Sequence, residues 1–289
     1  QLPCVFHVSA RTVSTHALNI FGDHSDVMAC RQTGFAMLCE GNVQEVMDLS
    51  PVAHLAALSG KVPFINFFDG FRTSHEIQKI AVWDYKDLAD MCDMDAVKAF
   101  REHALNPEHP AMRGSHENGD TFFQHREACN QYYDALPEVV EKYMGKINEK
   151  LGTDYKLFNY YGAPDADRVI IAMGSICDVA EEVIDYLNAH GEKVGLIKVR
   201  LYRPFKAERL IEAIPATAKK IAVLDRTKEP GSVGEPLYMD VLNALAIEGR
   251  SGITVVGGRY GWGSKDTPPS SVFAIYTELE KADPKPRFT

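Results

Sequence analysis

Three polar turns that follow apolar segments hold the residues of this sequence that could do chemistry. The first turn is His7-Val8-Ser9-Ala10-Arg11-Thr12. A guanidinium at Arg11, next to the unpaired N–H groups of a helix that starts there, would form a site for an anion. A surface arginine, or one paired with an acid of another loop, fits the same pattern.

The second turn runs from residue 21 to residue 26 and continues to residue 34. It contains Asp23 and His24 between apolar segments, and these side chains could place a titratable group in a cleft. The alternative is a capped loop in which Asp23 or Ser25 holds the amides of the turn.

The third turn covers residues 67–76. In it, the aromatic end of a predicted strand leads into a mostly polar segment. Arg72 and His75 could touch a substrate or another domain, and a purely structural loop fits equally well. The pair His75-Glu76 does not begin a zinc-protease motif, because Lys79 stands where the second histidine would be.

Cofactor motifs are absent from the turns of the second half. Residues 225–231 and 257–263 follow predicted strands, but they match neither a dinucleotide fingerprint nor a phosphate-binding loop, and packing loops are the better interpretation. No G-D-G…N-type thiamine diphosphate and metal motif occurs. None of the six cysteines forms a C-x-x-C pair, which excludes a zinc ribbon and a ferredoxin-type cluster.

The elements that position these turns alternate regularly after residue 168. Strands are predicted at 169–173, 194–199, 220–224 and 253–256, and helices at 178–190, 206–214, 237–248 and 270–281. Gly191 and Gly249 are expected to end two of the helices as left-handed caps. Strand and helix alternation with continuous apolar strands predicts a doubly wound, mostly parallel sheet.

The first half is α/β but less regular. We expect strands at 5–8, 26–29 and 62–68, and helices at 12–20, 43–58 and 136–151, with Pro51 kinking one helix or starting another. The polar stretch 84–133 is expected to wrap the surface or meet another domain. Residues 152–167 are interpreted as an inter-domain connection.

Composition limits the class of partner. The 289 residues carry a formal net charge of −9, which argues against a general nucleic-acid or membrane-surface binder. No apolar run of roughly 18 residues is present, so no membrane span is expected. Sparse cysteines favour a reducing compartment. The chain begins on a core strand without Met or a signal peptide, which suggests that it belongs to a longer protein.

Long strings of the sequence resemble pyruvate:ferredoxin (or flavodoxin) oxidoreductases. In the first half they are VFHVSAR at 5–11, IFGDHSDV at 20–27, CRQTGFAM at 30–37 and FFDGFRTSHEIQK at 67–79. In the second half they are GLIKVRLYRPF at 195–205, VLDRTKEPG at 223–231 and GRYG at 258–261. The resemblance runs in order over essentially the whole chain, which makes it far more specific than a short motif.

The resemblance implies an internal fragment of a large, commonly homodimeric enzyme. That enzyme oxidises pyruvate with CoA to acetyl-CoA and CO2 and passes electrons to ferredoxin or flavodoxin. It uses thiamine diphosphate, Mg²⁺ and 4Fe–4S clusters, none of which this fragment is expected to bind alone. Residues 1–153 would be the later part of the pyrimidine-side thiamine diphosphate domain, and residues 154–289 a doubly wound domain similar to the C-terminal domain of transketolase.

Within the resemblance, Arg11 falls where an arginine binds the pyruvate carboxylate, while Asp23, His24, Arg72 and His75 belong to the possible neighbourhood of that site. A fixed cation at the carboxylate would orient the substrate. The expected location is the cytoplasm, or a hydrogenosome-like organelle in an anaerobic eukaryote. Two alternatives stay open: an oxidoreductase for another 2-oxoacid, and a non-catalytic assembly module.

Overall fold

The computed structural model describes residues 2–289. It has an α/β fold with two β-sheets, one of four strands and one of six. The first sheet has the strand order β1-β3-β2-β7 and the second has the order β10-β9-β8-β5-β6-β4. Within residues 2–289, no helix is long and apolar enough to cross a membrane.

The first sheet is parallel in its three leading strands. These are β1 (Val5–Ala10), β2 (Ala36–Glu40) and β3 (Phe64–Asp69), with β3 in the middle. The fourth strand, β7 (Leu201–Arg203), comes from the second half of the sequence and pairs antiparallel with β2. The chain therefore crosses between the two sheets more than once.

Helix α2 (Val43–Gly60) packs on β1, β2 and β3 of this sheet, and helix α1 (Ser25–Ala29) contacts β1. The longest two helices of the first half, α2 and α6, pack on each other through buried side chains that include Leu49, Val52, Leu136 and Val140. The helices are α1 (Ser25–Ala29), α2 (Val43–Gly60), α3 (Tyr85–Met91), α4 (Met94–Glu102), α5 (Phe122–Ala128) and α6 (Asn130–Leu151).

The second sheet is the predicted doubly wound, mostly parallel arrangement. Its strands are β4 (Phe158–Gly162), β5 (Arg168–Ala172), β6 (Val194–Val199), β8 (Lys220–Asp225), β9 (Thr254–Arg259) and β10 (Arg287–Phe288). Only β4 runs antiparallel to its neighbour. Strands β5, β6 and β8 are buried almost throughout, as strands covered on both faces should be.

The helices of the second half follow the predicted ones within two residues. They are α7 (Ile176–Ala189), α8 (Ala207–Ala213), α9 (Pro236–Ile247) and α10 (Pro269–Glu280). Gly191 and Gly249 have φ values of 92° and 64°, which confirms the left-handed conformation expected after α7 and α9.

Several predictions for the first half are wrong. Residues 12–20 form an exposed loop, not a helix, because Thr12 and Val13 bond instead to Phe21 and Ser25. The apolar side chains of that loop have no packed surface in residues 2–289 to order a helix, since Leu18 is 81% exposed. The segment predicted as a strand at 26–29 is helix α1.

The remaining differences concern continuity. Helix α2 passes through Pro51 without a break, so neither a second helix nor a stop occurs there. Residues 152–167 are more than a connection, because they include β4 at the edge of the second sheet. Strands β2 and β7 were not predicted. The polar stretch 84–133 forms three short helices with irregular chain between them, and it ends in the first turn of α6.

Candidate functional site

The carboxyl ends of the two sheets face each other across a shared junction. Strands β1, β2 and β3 end at this junction from the first sheet, and β5, β8 and β9 end there from the second. The joining contacts include Gly22 to Ser264, Asn42 to Asp178 and Arg31 to Glu229. Open α/β sheets bind ligands at this edge, so the three predicted turns are where such a site would be built.

Arg11 is a partly buried cation directly after β1. Its Nη1 donates to Ser9 O at 2.9 Å and to Ser9 Oγ at 2.5 Å, and its backbone N–H donates to Asp26 Oδ2 at 2.8 Å. Within residues 2–289, no carboxylate lies within 4 Å of the guanidinium, whose Nη2 and Nε have no hydrogen-bond partner. Arg11 therefore keeps donors for an external anion.

The junction's other arginines contrast with Arg11. Arg31 pairs with Glu229 at 2.6 Å, Arg72 pairs with Asp266, and Arg226 pairs with Asp69 at 2.8 Å. An arginine whose charge is already matched inside the protein has less to offer a substrate carboxylate. The unmatched charge of Arg11 is what the predicted anion site requires.

Phe71 and Gly70 hold the Arg11 guanidinium in place. The guanidinium carbon lies 4.7 Å from the centre of the Phe71 ring, a cation–π distance. A Cβ on Gly70 would lie 2.0 Å from Arg11 Nη1 and 2.1 Å from the backbone oxygen of Ala10, so only glycine fits beside the guanidinium. Phe71 has φ +63°, an uncommon conformation for an aromatic residue and one that indicates a local constraint.

His75 and Arg72 belong to the same turn but contact different parts of the protein. The His75 ring stacks on Phe71 with centroids 4.4 Å apart and planes 8° apart, so it is linked to Arg11 through that ring. Arg72 instead turns to the second sheet, where Nη2 donates to Ser264 O at 3.1 Å and contacts Asp266. The structure thus brings Arg11, Phe71 and His75 together and directs Arg72 elsewhere.

Asp23 and His24 are buried in the junction. The Asp23 carboxylate accepts from Thr12 Oγ1 at 3.0 Å, from Ser25 N at 2.9 Å and from Gly263 N at 3.3 Å. His24 Nε2 contacts Asp69, and the His24 backbone N–H donates to Arg226 O at 2.9 Å. The capped-loop interpretation of Asp23 agrees with these contacts, and both side chains join the sheets.

Asp69 is the centre of this buried network. It lies at the end of β3 with a side chain 0% exposed, and its carboxylate accepts a hydrogen bond from Ser175 N at 2.8 Å and forms an ion pair with Arg226 Nη1 at 2.8 Å. Burial alone would raise the pKa of Asp69, but the charge and hydrogen bond of His24, with Arg226 and Ser175, hold that pKa well below its usual range.

Glu40, at the end of β2, is a buried acid of the opposite kind. It is 0% exposed, and neither carboxyl oxygen has a hydrogen-bond partner within residues 2–289. Burial and the nearby charge of Glu45 raise the pKa of Glu40 well above its ordinary value. Burial therefore favours the neutral form of this side chain, which lies next to Asn66, whose Oδ1 also lacks a partner within residues 2–289.

The Glu40→Gln change is expected to raise the free energy of unfolding by up to about 3 kcal/mol at pH 7 and to have no effect near pH 4. The raised pKa means that Glu40 favours folding below its ordinary pKa and loses that contribution, at about 1.4 kcal/mol per pH unit, as the pH rises. Urea unfolding between pH 4 and pH 8 measures the difference.

The matched control for Glu40 is Glu149→Gln, which changes an exposed acid on α6. We expect this variant to follow the wild-type pH profile. Identical profiles for Glu40→Gln and the wild type would contradict a raised pKa for Glu40.

Metal and cluster ligands do not come together in the described part of the chain. Across residues 2–289, no group of three or more His, Cys, Asp or Glu side chains could hold a metal ion, and all six cysteines are free. We therefore assign no metal or cluster ligand to these residues.

Sequence reasoning missed the roles of Phe71, Asp69, Ser175 and Arg226. Each stands in a turn that follows a predicted strand, and Asp69 and Arg226 are charged residues at apolar strand ends. That signal marks the sheet edge but does not show that the edges of two sheets meet there. The contacts depend on docking, which residue spacing does not report.

Two family profiles match this chain. The pyruvate flavodoxin/ferredoxin oxidoreductase thiamine diphosphate-binding domain matches residues 1–145, and the pyruvate:ferredoxin oxidoreductase core domain II matches residues 166–272.

Curated relatives match over the full chain. The sequence is 61% identical over 288 residues to a pyruvate:ferredoxin oxidoreductase of Moorella thermoacetica and 58% identical to a pyruvate-flavodoxin oxidoreductase of Enterobacter agglomerans. The alignments cover 100% of this chain but 24% of each relative, so the chain spans about a quarter of their length.

A solved structure supports the fold. The 2-oxoglutarate:ferredoxin oxidoreductase of Magnetococcus marinus superposes with a TM-score of 0.61 and 18% identity, covering 96% of this chain and 49% of that one. With profiles matching both halves and high identity throughout, the chain belongs to the pyruvate:ferredoxin/flavodoxin oxidoreductase family.

Proposed function

We propose that this chain is part of an enzyme that oxidises pyruvate with CoA to acetyl-CoA and CO2 and passes the electrons to ferredoxin or flavodoxin. Relatives named for this activity, at 61% and 58% identity, support the proposal. The single structural observation that carries it is Arg11, a fixed cation at the carboxyl edge of the first sheet with no internal carboxylate partner.

Arg11 is proposed to bind the substrate carboxylate. Its guanidinium is fixed by Ser9 and by the ring of Phe71, while Nη2 and Nε remain available for a two-pronged interaction with a carboxylate. Because the carboxylate leaves as CO2, very tight binding would oppose the reaction. The role that suits Arg11 is therefore orientation of the carboxylate. The stacked rings of Phe71 and His75 limit the movement of the Arg11 guanidinium.

The cofactors of the proposed enzyme are thiamine diphosphate, Mg²⁺ and 4Fe–4S clusters, held mainly by parts of the protein beyond these residues. Thiamine diphosphate supplies the carbon nucleophile of such reactions and accepts the electron pair left by decarboxylation. We propose that residues 1–153 form a thiamine-side domain and residues 154–289 a packing domain, and that the enzyme works as a homodimer. The free cysteines are compatible with a cytoplasmic setting.

The direct test is an assay of the intact enzyme that contains this chain. We expect reduction of ferredoxin or flavodoxin that depends on both pyruvate and CoA, with much lower rates for 2-oxobutyrate and 2-oxoglutarate. A preference for another 2-oxoacid would make that acid, and not pyruvate, the substrate. No turnover of any 2-oxoacid would overturn the proposal.

The isolated 289 residues provide a second test. We expect no tight, Mg²⁺-dependent binding of thiamine diphosphate in a calorimetric titration, because the described residues offer no metal ligand set. Tight binding would show that this chain contains the cofactor site. It would contradict the proposal that other parts of the protein hold the cofactor.

A further inference from the structure

The turn between β5 and α7 stands at the position where doubly wound sheets bind ligands. From β5 the chain first adds β6 on one side and later β8 on the other, so the strand order reverses between β5 and β8. The crevice beyond the carboxyl ends of these two strands is the usual ligand site of such sheets. Gly174 and Ser175 follow β5 here, and Arg226 follows β8.

The groups that converge on this crevice are those of an anion site. Ser175 offers its backbone N–H and its hydroxyl, and Arg226 offers a guanidinium on a residue that is 4% exposed. The 14-residue helix α7 begins at the next residue and directs its positive end at the crevice. Gly174 has φ +83°, and a Cβ there would lie 3.0 Å from both carboxylate oxygens of Asp69.

The carboxylate in the crevice comes from the first sheet. It is the Asp69 side chain, whose Oδ2 accepts hydrogen bonds from Ser175 N, at 2.8 Å, and from the Ser175 hydroxyl, and forms an ion pair with Arg226 Nη1 at 2.8 Å. Its other oxygen, Oδ1, contacts His24. One carboxylate oxygen therefore contacts residues of the second sheet, and the other contacts a residue of the first half. Asp69 therefore occupies the crevice as a bound anion would.

We propose that Gly174, Ser175, Arg226 and the start of α7 form an anion-binding site for carboxylates and small oxyanions, and that Asp69 is its built-in ligand. The Asp69 carboxylate joins the two sheets by filling this site. The same occupancy closes the ligand position of the second sheet to diffusible anions.

A space beside the site gives a free anion access when the aspartate side chain is removed. A cavity of about 230 Å³ is lined by Ser175, Arg226 and Lys265, which has no ion-pair partner in residues 2–289, and its wall also includes the acids Glu76 and Asp178. This volume is several times the roughly 30 Å³ share of one water molecule, which is ample for formate.

Chemical rescue of an Asp69→Gly variant tests the proposal. In chloride, hydrogen exchange of the backbone amides at 174–178 in the intact protein is expected to become about tenfold faster or more, because a charge-assisted bond to Ser175 is lost. Sodium formate at the same ionic strength is expected to restore protection along a saturable curve. The measurement requires neither pyruvate nor cofactor, so its outcome is independent of the proposed function.

Two further variants separate an anion site from ordinary packing. Asp69→Asn fills the space without the charge, so exchange at 174–178 is expected to stay fast and unresponsive to formate. Asp283→Gly removes an exposed acid that has no ion-pair partner in residues 2–289, and it is expected to leave exchange unchanged in both salts. Wild-type protection in Asp69→Asn, or equal effects of chloride and formate on Asp69→Gly, would overturn the proposal. If Asp69→Gly folds poorly, equal soluble yields in the two salts would overturn it as well.

Discussion

Replacing Arg11 by alanine in the intact enzyme is expected to lower kcat/KM for pyruvate by about 10- to 100-fold. One charge-assisted hydrogen-bonded interaction of about 1.5–3 kcal/mol sets this scale, and a two-pronged contact lies at its upper end. The loss follows from removing the one junction arginine of residues 2–289 whose charge has no internal carboxylate. Initial rates of pyruvate-dependent electron transfer measure the change.

Two variants control the Arg11 result. Arg11→Lys keeps the charge but loses the planar fork, so an intermediate loss is expected. Arg209→Ala removes an arginine on α8 that pairs with Glu141 and Glu212, far from the junction, and should leave pyruvate kinetics unchanged. Unaltered kinetics in Arg11→Ala would remove Arg11 from the substrate site.

Replacing Arg226 by methionine is expected to lower the free energy of unfolding by about 3–5 kcal/mol, the usual effect of breaking a buried ion pair. The variant leaves the Asp69 carboxylate with fewer donors and removes the bonds from Arg226 to Gly22 O and Gly261 O. Arg31→Met is the matched control, because Arg31 also joins the two sheets but through a partly exposed pair. Its expected effect is about 0–1 kcal/mol.

The pH dependence of the Arg226 variant gives a second readout. Because the folded pKa of Asp69 is lowered, its ionised carboxylate stabilises the protein above the ordinary pKa of 3.8, and that contribution is lost as the pH falls below this value. Removing Arg226 weakens the effect, so the gap between wild type and variant should narrow in acid. Denaturant unfolding at pH 7 and pH 3 measures it, and a constant gap would contradict a contribution of Arg226 to the ionisation of Asp69 above pH 3.

The second half of the fold was predictable from sequence because each local signal agrees with its surroundings. Strands buried on both faces appear as unbroken apolar runs, and Gly191 and Gly249 mark helix ends that packing does not alter. The strand predicted at 194–199 matches β6 at both ends.

In the first half, the apolar strands β1 and β3 and the long helices α2 and α6 were predictable. Helix α2 was recognised in spite of Pro51, whereas the five-residue helix α1 was predicted as a strand, because periodicity cannot separate the two at that length. Strand β7 could not be inferred, because three residues pair there with a strand more than 160 positions earlier in the sequence.

The candidate site shows the same limit. Placing Arg11, Asp23, His24, Arg72 and His75 in turns at strand ends was possible from pattern alone, and all five lie at the junction. Their separate tasks were not predictable, since they depend on the docking of the second sheet. Asp23, His24 and Arg72 contact that sheet, while Arg11 and His75 meet through Phe71. Their part in binding substrate stays a prediction.

Competitive inhibition by oxamate tests the central claim, carboxylate recognition by Arg11, most directly. Oxamate has the carboxylate and carbonyl of pyruvate with an amino group in place of the methyl group, so it reports binding without turnover. The inhibition constant of the intact enzyme is expected to rise about tenfold or more in Arg11→Ala and to stay unchanged in Arg209→Ala. An inhibition constant unaffected by the Arg11 change would contradict the account.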